Sequence, residues 1–183
     1  MGADIHMFVE YSCRSIGDEV RWNAFSGEIN GCRDYELFAL LANVRGSGAL
    51  FAPRGLPDAI GWEAEGAFYR LVSYEPALAF DNTPLPLDER EVTADTAEMW
   101  VQKYGSHYRG TRVKNGKPLM VSQPDWHRAS WLTAAEFRKV LEARDAQNPA
   151  WKVHISYWAV LAAMAAFDRA SGHSSRLVFW FDN

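Results

Sequence analysis

Met1-Gly2-Ala3-Asp4-Ile5-His6-Met7-Phe8-Val9-Glu10-Tyr11 opens the chain, and its reading decides the fold. Ile5, Met7, Val9 and Tyr11 alternate with Asp4, His6, Phe8 and Glu10, and this period of two marks a strand. The far end carries a matching signal. Arg176-Leu177-Val178-Phe179-Trp180-Phe181 is apolar on both faces, as expected of a strand buried inside a sheet. The two end strands are therefore expected to lie side by side at its centre. Between them the grammar is helical. Asp34 stands where it would cap a helix over 35–42, with apolar positions 37, 38, 41 and 44. Thr133-Ala134-Ala135-Glu136 is a capping-box pattern opening a helix to about Arg144. Asn148-Pro149 reads as N-cap and first-turn proline of a last helix, with an apolar stripe of Val153, Tyr157, Val160, Leu161, Met164 and Phe167. The expectation is an α+β fold in one domain, 1–183. Its small, mostly antiparallel sheet has the N- and C-terminal strands central and is packed by three to four helices.

The remaining stretches read less sharply. Ser15-Ile16-Gly17-Asp18 is a turn, from which Val20-Arg21-Trp22 returns as an antiparallel strand. Gly27 to Gly31 reads as loop, as does the Gly- and Pro-rich stretch from Arg45 to Gly61. Ala67 to Ser73 fits a strand or a short helix, and Asp88 to Tyr104 fits a helix loosely. Arg112-Val113 and Leu119-Met120-Val121 flank Asn115-Gly116, a hairpin signal. It is expected as a local excursion at about 105–123.

Composition narrows the classes. Across 183 residues, 48 % are hydrophobic and eight are Trp, enough for a packed core and against disorder. A net charge of −4 and a pI near 5.7 argue against non-specific binding of duplex DNA. They leave room for a small ligand held by a few arginines. Cys13 and Cys32 form no CxxC pair or disulfide ladder, so two half-buried free thiols in a reducing cytoplasm are expected. The opening lacks the basic and apolar regions of a signal peptide, and the last helix is too short and amphipathic to span a bilayer. The expected setting is cytoplasmic.

Several constellations can carry chemistry. On a strand, Asp4 and His6 share one face, roughly 7 Å apart. They can share a proton, bind a metal with partners such as Asp34, Asp182 or His127, or simply hydrogen-bond each other. His127 lies in Pro124-Asp125-Trp126-His127-Arg128-Ala129-Ser130-Trp131, read as a loop just before a helix N-terminus. There Asp125, Trp126, Ser130 and Trp131 can line a pocket for a phosphate and a ring. The plainer alternative is a loop that caps the helix and tucks its tryptophans into the core. Arg33, Arg45 and Arg54, with Asp34 beside them, can clamp a phosphate, or serve as surface ion-pair partners. His154 and His173 read as structural. No Gly-rich phosphate loop, nucleotide fingerprint or GxSxG elbow is present.

These stretches also resemble a family of small uncharacterised proteins of bacteriophages and bacteria that open Met-Gly-Cys-Asp-Ile-His. The resemblance rests on Met1 to His6, on Arg33-Asp34-Tyr35-Glu36-Leu37-Phe38 with Leu41-Ala42-Asn43-Val44-Arg45, and on Pro53-Arg54-Gly55-Leu56-Pro57. It continues in Asp125-Trp126-His127 with Ser130-Trp131-Leu132-Thr133, and in Arg176 to Asn183. Ala3 replaces the family's cysteine, which argues against an essential thiolate at that position. A phage setting implies nucleotide metabolism or a counter-measure to host defence.

Two functions are consistent with these residues. The first is a hydrolase or phosphodiesterase acting on a nucleotide or nucleotide-like signal. Asp4 and His6 would be its acid–base or metal groups, His127 its second proton-transfer group, and Arg33, Arg45 and Arg54 its phosphate clamp. The second is a non-catalytic protein that sequesters such a ligand or inhibits a host defence protein. The sequence leaves open whether a divalent metal is needed. It also leaves open the oligomeric state, and a homodimer would be ordinary for a chain of this size.

Overall fold

The computed structural model describes residues 2–14, 20–73, 91–93, 99, 109–114, 117–121, 126–170 and 173–182. The chain gathers into two compact units, residues 1–64 with 125–183, and residues 65–124.

The first unit is built on a five-stranded antiparallel sheet. β1 (Ile5–Arg14) pairs with β2 (Val20–Ala24) and the two-residue β3 (Ile29–Asn30) on one side. On its other side lies β9 (Ser175–Phe181), which in turn pairs with β8 (His127–Thr133). The N- and C-terminal strands are thus central, in an order β2-β1-β9-β8. β9 is buried at all seven positions, which explains its apolar residues on both faces.

Three helices, α1 (Tyr35–Ala42), α3 (Ala134–Gln147) and α4 (Ile155–Arg169), supply the cover on one face. Leu37, Phe38 and Leu41 of α1 meet Phe137, Val140 and Leu141 of α3 and Tyr157, Leu161 and Met164 of α4 in a core with Ile5, Met7, Val9, Leu177, Phe179 and Phe181. Each fully buried side chain of this size contributes about 1.5–3 kcal/mol. The opposite face is dry as well, with Phe8 and Trp180 stacked 5.4 Å apart beside Val178. On that face Glu10, fully buried, pairs with Arg176 at 2.6 Å. Gly61 N–H donates to Glu10 at 2.8 Å, Ala59 O accepts from Arg176, and the Arg176 guanidinium lies 3.8 Å above the Trp22 ring. Burial raises the Glu10 carboxyl and lowers the Arg176 guanidinium, and their mutual attraction opposes both shifts.

Local signals were met where they concern a cap. Asp34 accepts from Leu37 N–H at the start of α1, and Thr133 with Glu136 forms the capping box of α3. The last helix differs from expectation. Asn148 closes α3, and the cap of α4, His154, comes six residues later, so Asn148-Pro149 ends one helix and does not begin the next. Residues 127–133, expected as loop, form β8, because β9 offers an unpaired edge and the stretch takes it up. The loop expected at 27–31 contributes β3 to the edge of β1 in the same way. The turn at 15–18 lies outside the described residues.

The second unit carries a four-stranded sheet, order β5-β4-β7-β6. α2 (Trp62–Phe68) leads into β4 (Tyr69–Ser73), so residues 67–73 contain both a helix end and a strand. β5 (Glu91–Thr93) runs parallel to β4 and corrects the helical reading at those three positions. Met99 is helical, and the rest of the 88–104 stretch lies outside the described residues. β6 (Arg109–Lys114) and β7 (Lys117–Val121) are the expected antiparallel hairpin, whose turn residues Asn115 and Gly116 lie outside the described residues. The excursion thus belongs to a unit of its own, longer than 105–123.

Candidate functional site at the open end of the central sheet

The site forms where β1 begins and β9 ends. His6 faces Trp180 across the strand pair, and their rings stack 5.7 Å apart. The Trp126 ring lies 5.1 Å from His6 and 5.1 Å from Trp180. His6 Nδ1 meets Glu28 Oε1 at 2.6 Å and His6 Nε2 meets Asp182 Oδ2 at 3.3 Å. Burial of the ring lowers the His6 pKa, but the two carboxylates more than reverse this, and it ends above the ordinary value. Asp182 is doubly fixed. Its Oδ1 accepts the Asp4 N–H at 2.8 Å, and its own N–H donates to Asp4 O at 3.2 Å.

Asp4 and His6 influence each other electrostatically, yet neither is the other's hydrogen-bond partner. The Asp4 carboxylate is held fork to fork by Arg33, with Nε to Oδ1 at 2.5 Å and Nη2 to Oδ2 at 2.6 Å. Those bonds lower the Asp4 carboxyl and raise the Arg33 guanidinium. Gly2 sits beneath this pair: a Cβ there would come within 2.7 Å of Arg33 Nη1 and 3.0 Å of the Tyr35 hydroxyl. Tyr35 therefore borders the Asp4–Arg33 pair with its hydroxyl. Its other surroundings include an open groove of about 240 Å³ lined by Glu36, Leu40, Arg45, Ser47 and Gln147.

His127 is placed differently. It stands opposite Phe181, with ring centroids 6.3 Å apart, whereas His6 stands opposite Trp180. Consecutive strand residues face opposite ways. Phe181 packs on Phe38 in the helix-covered core. His6 thus lies with Trp126 on the face of Trp180, and the strand pairing puts His127 on the face of Phe181. A register shift follows His127, where Arg128 takes a φ of 54°.

The other candidates fall into two further groups. Arg54 pairs with Glu136 through both guanidinium Nη atoms, lies 4.6 Å over the Trp131 ring, and donates its backbone N–H to the buried Ser130 Oγ at 3.1 Å. Arg54 and the Thr133 bonds draw Glu136 down to about 2. Asp34, besides capping α1, accepts from the buried Arg144 at 2.9 Å, so its carboxylate serves the helix packing. Arg45 is exposed, with a φ of 57°, at the groove. Asp125 lies outside the described residues. His154 caps α4, and His173 Nδ1 donates to Ser12 O at 2.6 Å. Cys13 is half-buried and Cys32 exposed, both as free thiols.

Sequence reasoning missed Glu28, which lies in a stretch read as loop, and saw Asp182 only as a metal partner. The pairing of β1 with β3 and β9 brings both to His6. Among the described residues no three His, Cys, Asp or Glu side chains gather to hold a metal, and no helix is long and apolar enough to cross a membrane. No protein-family model, curated protein or solved structure matches the chain. The fold and site define an α+β protein with an ion-paired, aromatic-flanked polar cluster at the end of its central sheet.

Proposed function

We propose that this end of the sheet binds a small phosphate-bearing, nucleotide-like ligand and sequesters it without turnover. The observation that carries this is the engagement of both His6 nitrogens by carboxylates, which holds the ring as a hydrogen-bond donor to anions on both sides, with no unprotonated nitrogen to take up a substrate proton. What remains is recognition hardware. Trp126 and Tyr35 offer ring surfaces, and Arg33 keeps Nη1, the guanidinium nitrogen that Asp4 does not use. The resemblance to a phage family supports a ligand among the nucleotide signals of host defence or the intermediates of nucleotide metabolism.

A second reading, hydrolysis, is favoured by the raised pKa of His6. The two carboxylates favour the protonated ring, and an imidazolium is a competent general acid once one of them moves aside. The two readings separate in one assay. Purified protein is incubated with nucleotides and cyclic nucleotides, and the supernatant is analysed by mass spectrometry before and after heat denaturation. Sequestration depletes a compound and returns it intact on heating. A new product establishes the hydrolase instead. No change in either condition rejects both readings and points to a protein partner.

A further inference from the structure

We propose that Glu28 is a built-in stand-in for the ligand's phosphate, occupying His6 Nδ1 until a phosphomonoester displaces it. The inference rests on the binding reading above and assigns the anion position within that site.

The two carboxylates on His6 are not equivalent. Asp182 is anchored by Asp4 through a side-chain and a backbone hydrogen bond, continuing the β1–β9 ladder. Glu28 has no such anchor: among the described residues its carboxylate meets His6 alone, at 2.6 Å. It is carried next to a two-residue strand, behind Ser26-Gly27, and its side chain is 35 % exposed against 16 % for His6. Glu28 is thus the outer partner, and the one that can leave without breaking the sheet.

The chemistry of exchange is direct. A carboxylate on an imidazolium N–H is a charge-assisted hydrogen bond, and a phosphate oxygen makes the same bond while leaving further oxygens to accept from other donors. With Glu28 in place, Asp4, Glu28 and Asp182 outweigh Arg33 and protonated His6 by one negative charge, which disfavours a further anion. With Glu28 withdrawn the cluster is neutral, and both His6 Nδ1 and Arg33 Nη1 are donors. Anion entry and Glu28 departure are therefore coupled, and the resting protein discriminates against weak anions.

The test uses orthophosphate as probe. Isotope-labelled histidine is followed by NMR at pH 5.5, where His6 is protonated, in wild type, Glu28→Gln and Glu28→Ala. The expected result is a phosphate-dependent shift of the His6 Nδ1 resonance in all three proteins. The dissociation constant should be lower in the variants by about tenfold, the scale of one charge-assisted bond removed from competition. Glu28→Ala, which cannot leave an amide on the ring, decides where the two variants differ. Unchanged or weaker phosphate binding in Glu28→Ala, with binding in wild type, overturns the stand-in and leaves the binding reading intact. No His6 shift in any of the three overturns the stand-in too. In that case, nucleotide quenching of tryptophan fluorescence that is lost in Trp126→Ala would still uphold the binding reading, and its absence would reject both.

Discussion

Replacing Arg176 by Met isolates the cost of the charge pair on the second face of the sheet. The substitution keeps an unbranched side chain of similar length over Trp22 but removes the guanidinium that meets Glu10 at 2.6 Å. Glu10 is fully buried and keeps the Gly61 N–H, at 2.8 Å, as a donor. Removing one partner of a buried pair costs about 3–5 kcal/mol. That figure has a ceiling set by protonation, because Glu10 can take up a proton instead of staying charged. Without Arg176 the attraction that opposes the burial shift is gone, so the Glu10 carboxyl rises further. The sign follows. A carboxyl raised in the folded state contributes stability below its unfolded value of 4.5, and that contribution is lost as pH rises toward the folded value. The loss measured by urea unfolding should therefore be large at pH 8 and shrink toward pH 5. Replacing both residues, Glu10→Leu with Arg176→Met, should recover most of the stability. A loss below about 1 kcal/mol at pH 7 would show that Glu10 does not depend on Arg176. So would a loss with no pH dependence between 5 and 8.

Three further outcomes are expected. His6→Gln removes a group whose pKa is raised by Glu28 and Asp182. The stability gap to wild type should be full below about pH 6.5 and close as pH rises through the folded value, and a gap that widens with pH would contradict the assignment. Asp34→Ala removes the α1 cap and a partner of buried Arg144, and should cost about 1–3 kcal/mol in chemical denaturation without altering ligand depletion. Gly31→Ala puts a Cβ 2.5 Å from the Tyr157 hydroxyl and 2.8 Å from Ile5 Cγ2 inside a packed region, and should cost about 1–3 kcal/mol. An unchanged melting temperature would show that α4 yields there.

The signals that proved legible are those whose cause is local. The capping box at Thr133 and Glu136 and the cap at Asp34 need only their own helix turn. Asn148-Pro149 misled because a polar residue before proline suits the end of one helix as well as the start of the next, and the cap of α4 is His154. The strand at 127–133 was hidden because its pairing depends on an edge of β9 almost fifty residues away. Within the site, Asp4, His6, Arg33 and Trp126 were visible as residue types in a pattern. Their partners were not, since Glu28 reaches His6 across 22 residues and Asp182 across 176.

By itself the sequence determined the elements at the two ends of the chain and their central place. Alternation at 5–11 marks a strand, and the unbroken apolar run at 177–181 marks one buried on both faces. Which polar groups meet is set by the pairing of distant strands. Strand register is a long-range property, and a shift by one residue turns every side chain to the other face. That register sets His6 against Trp180 and Trp126, turns His127 toward Phe181, and assigns the carboxylates of Glu28 and Asp182 to one imidazole.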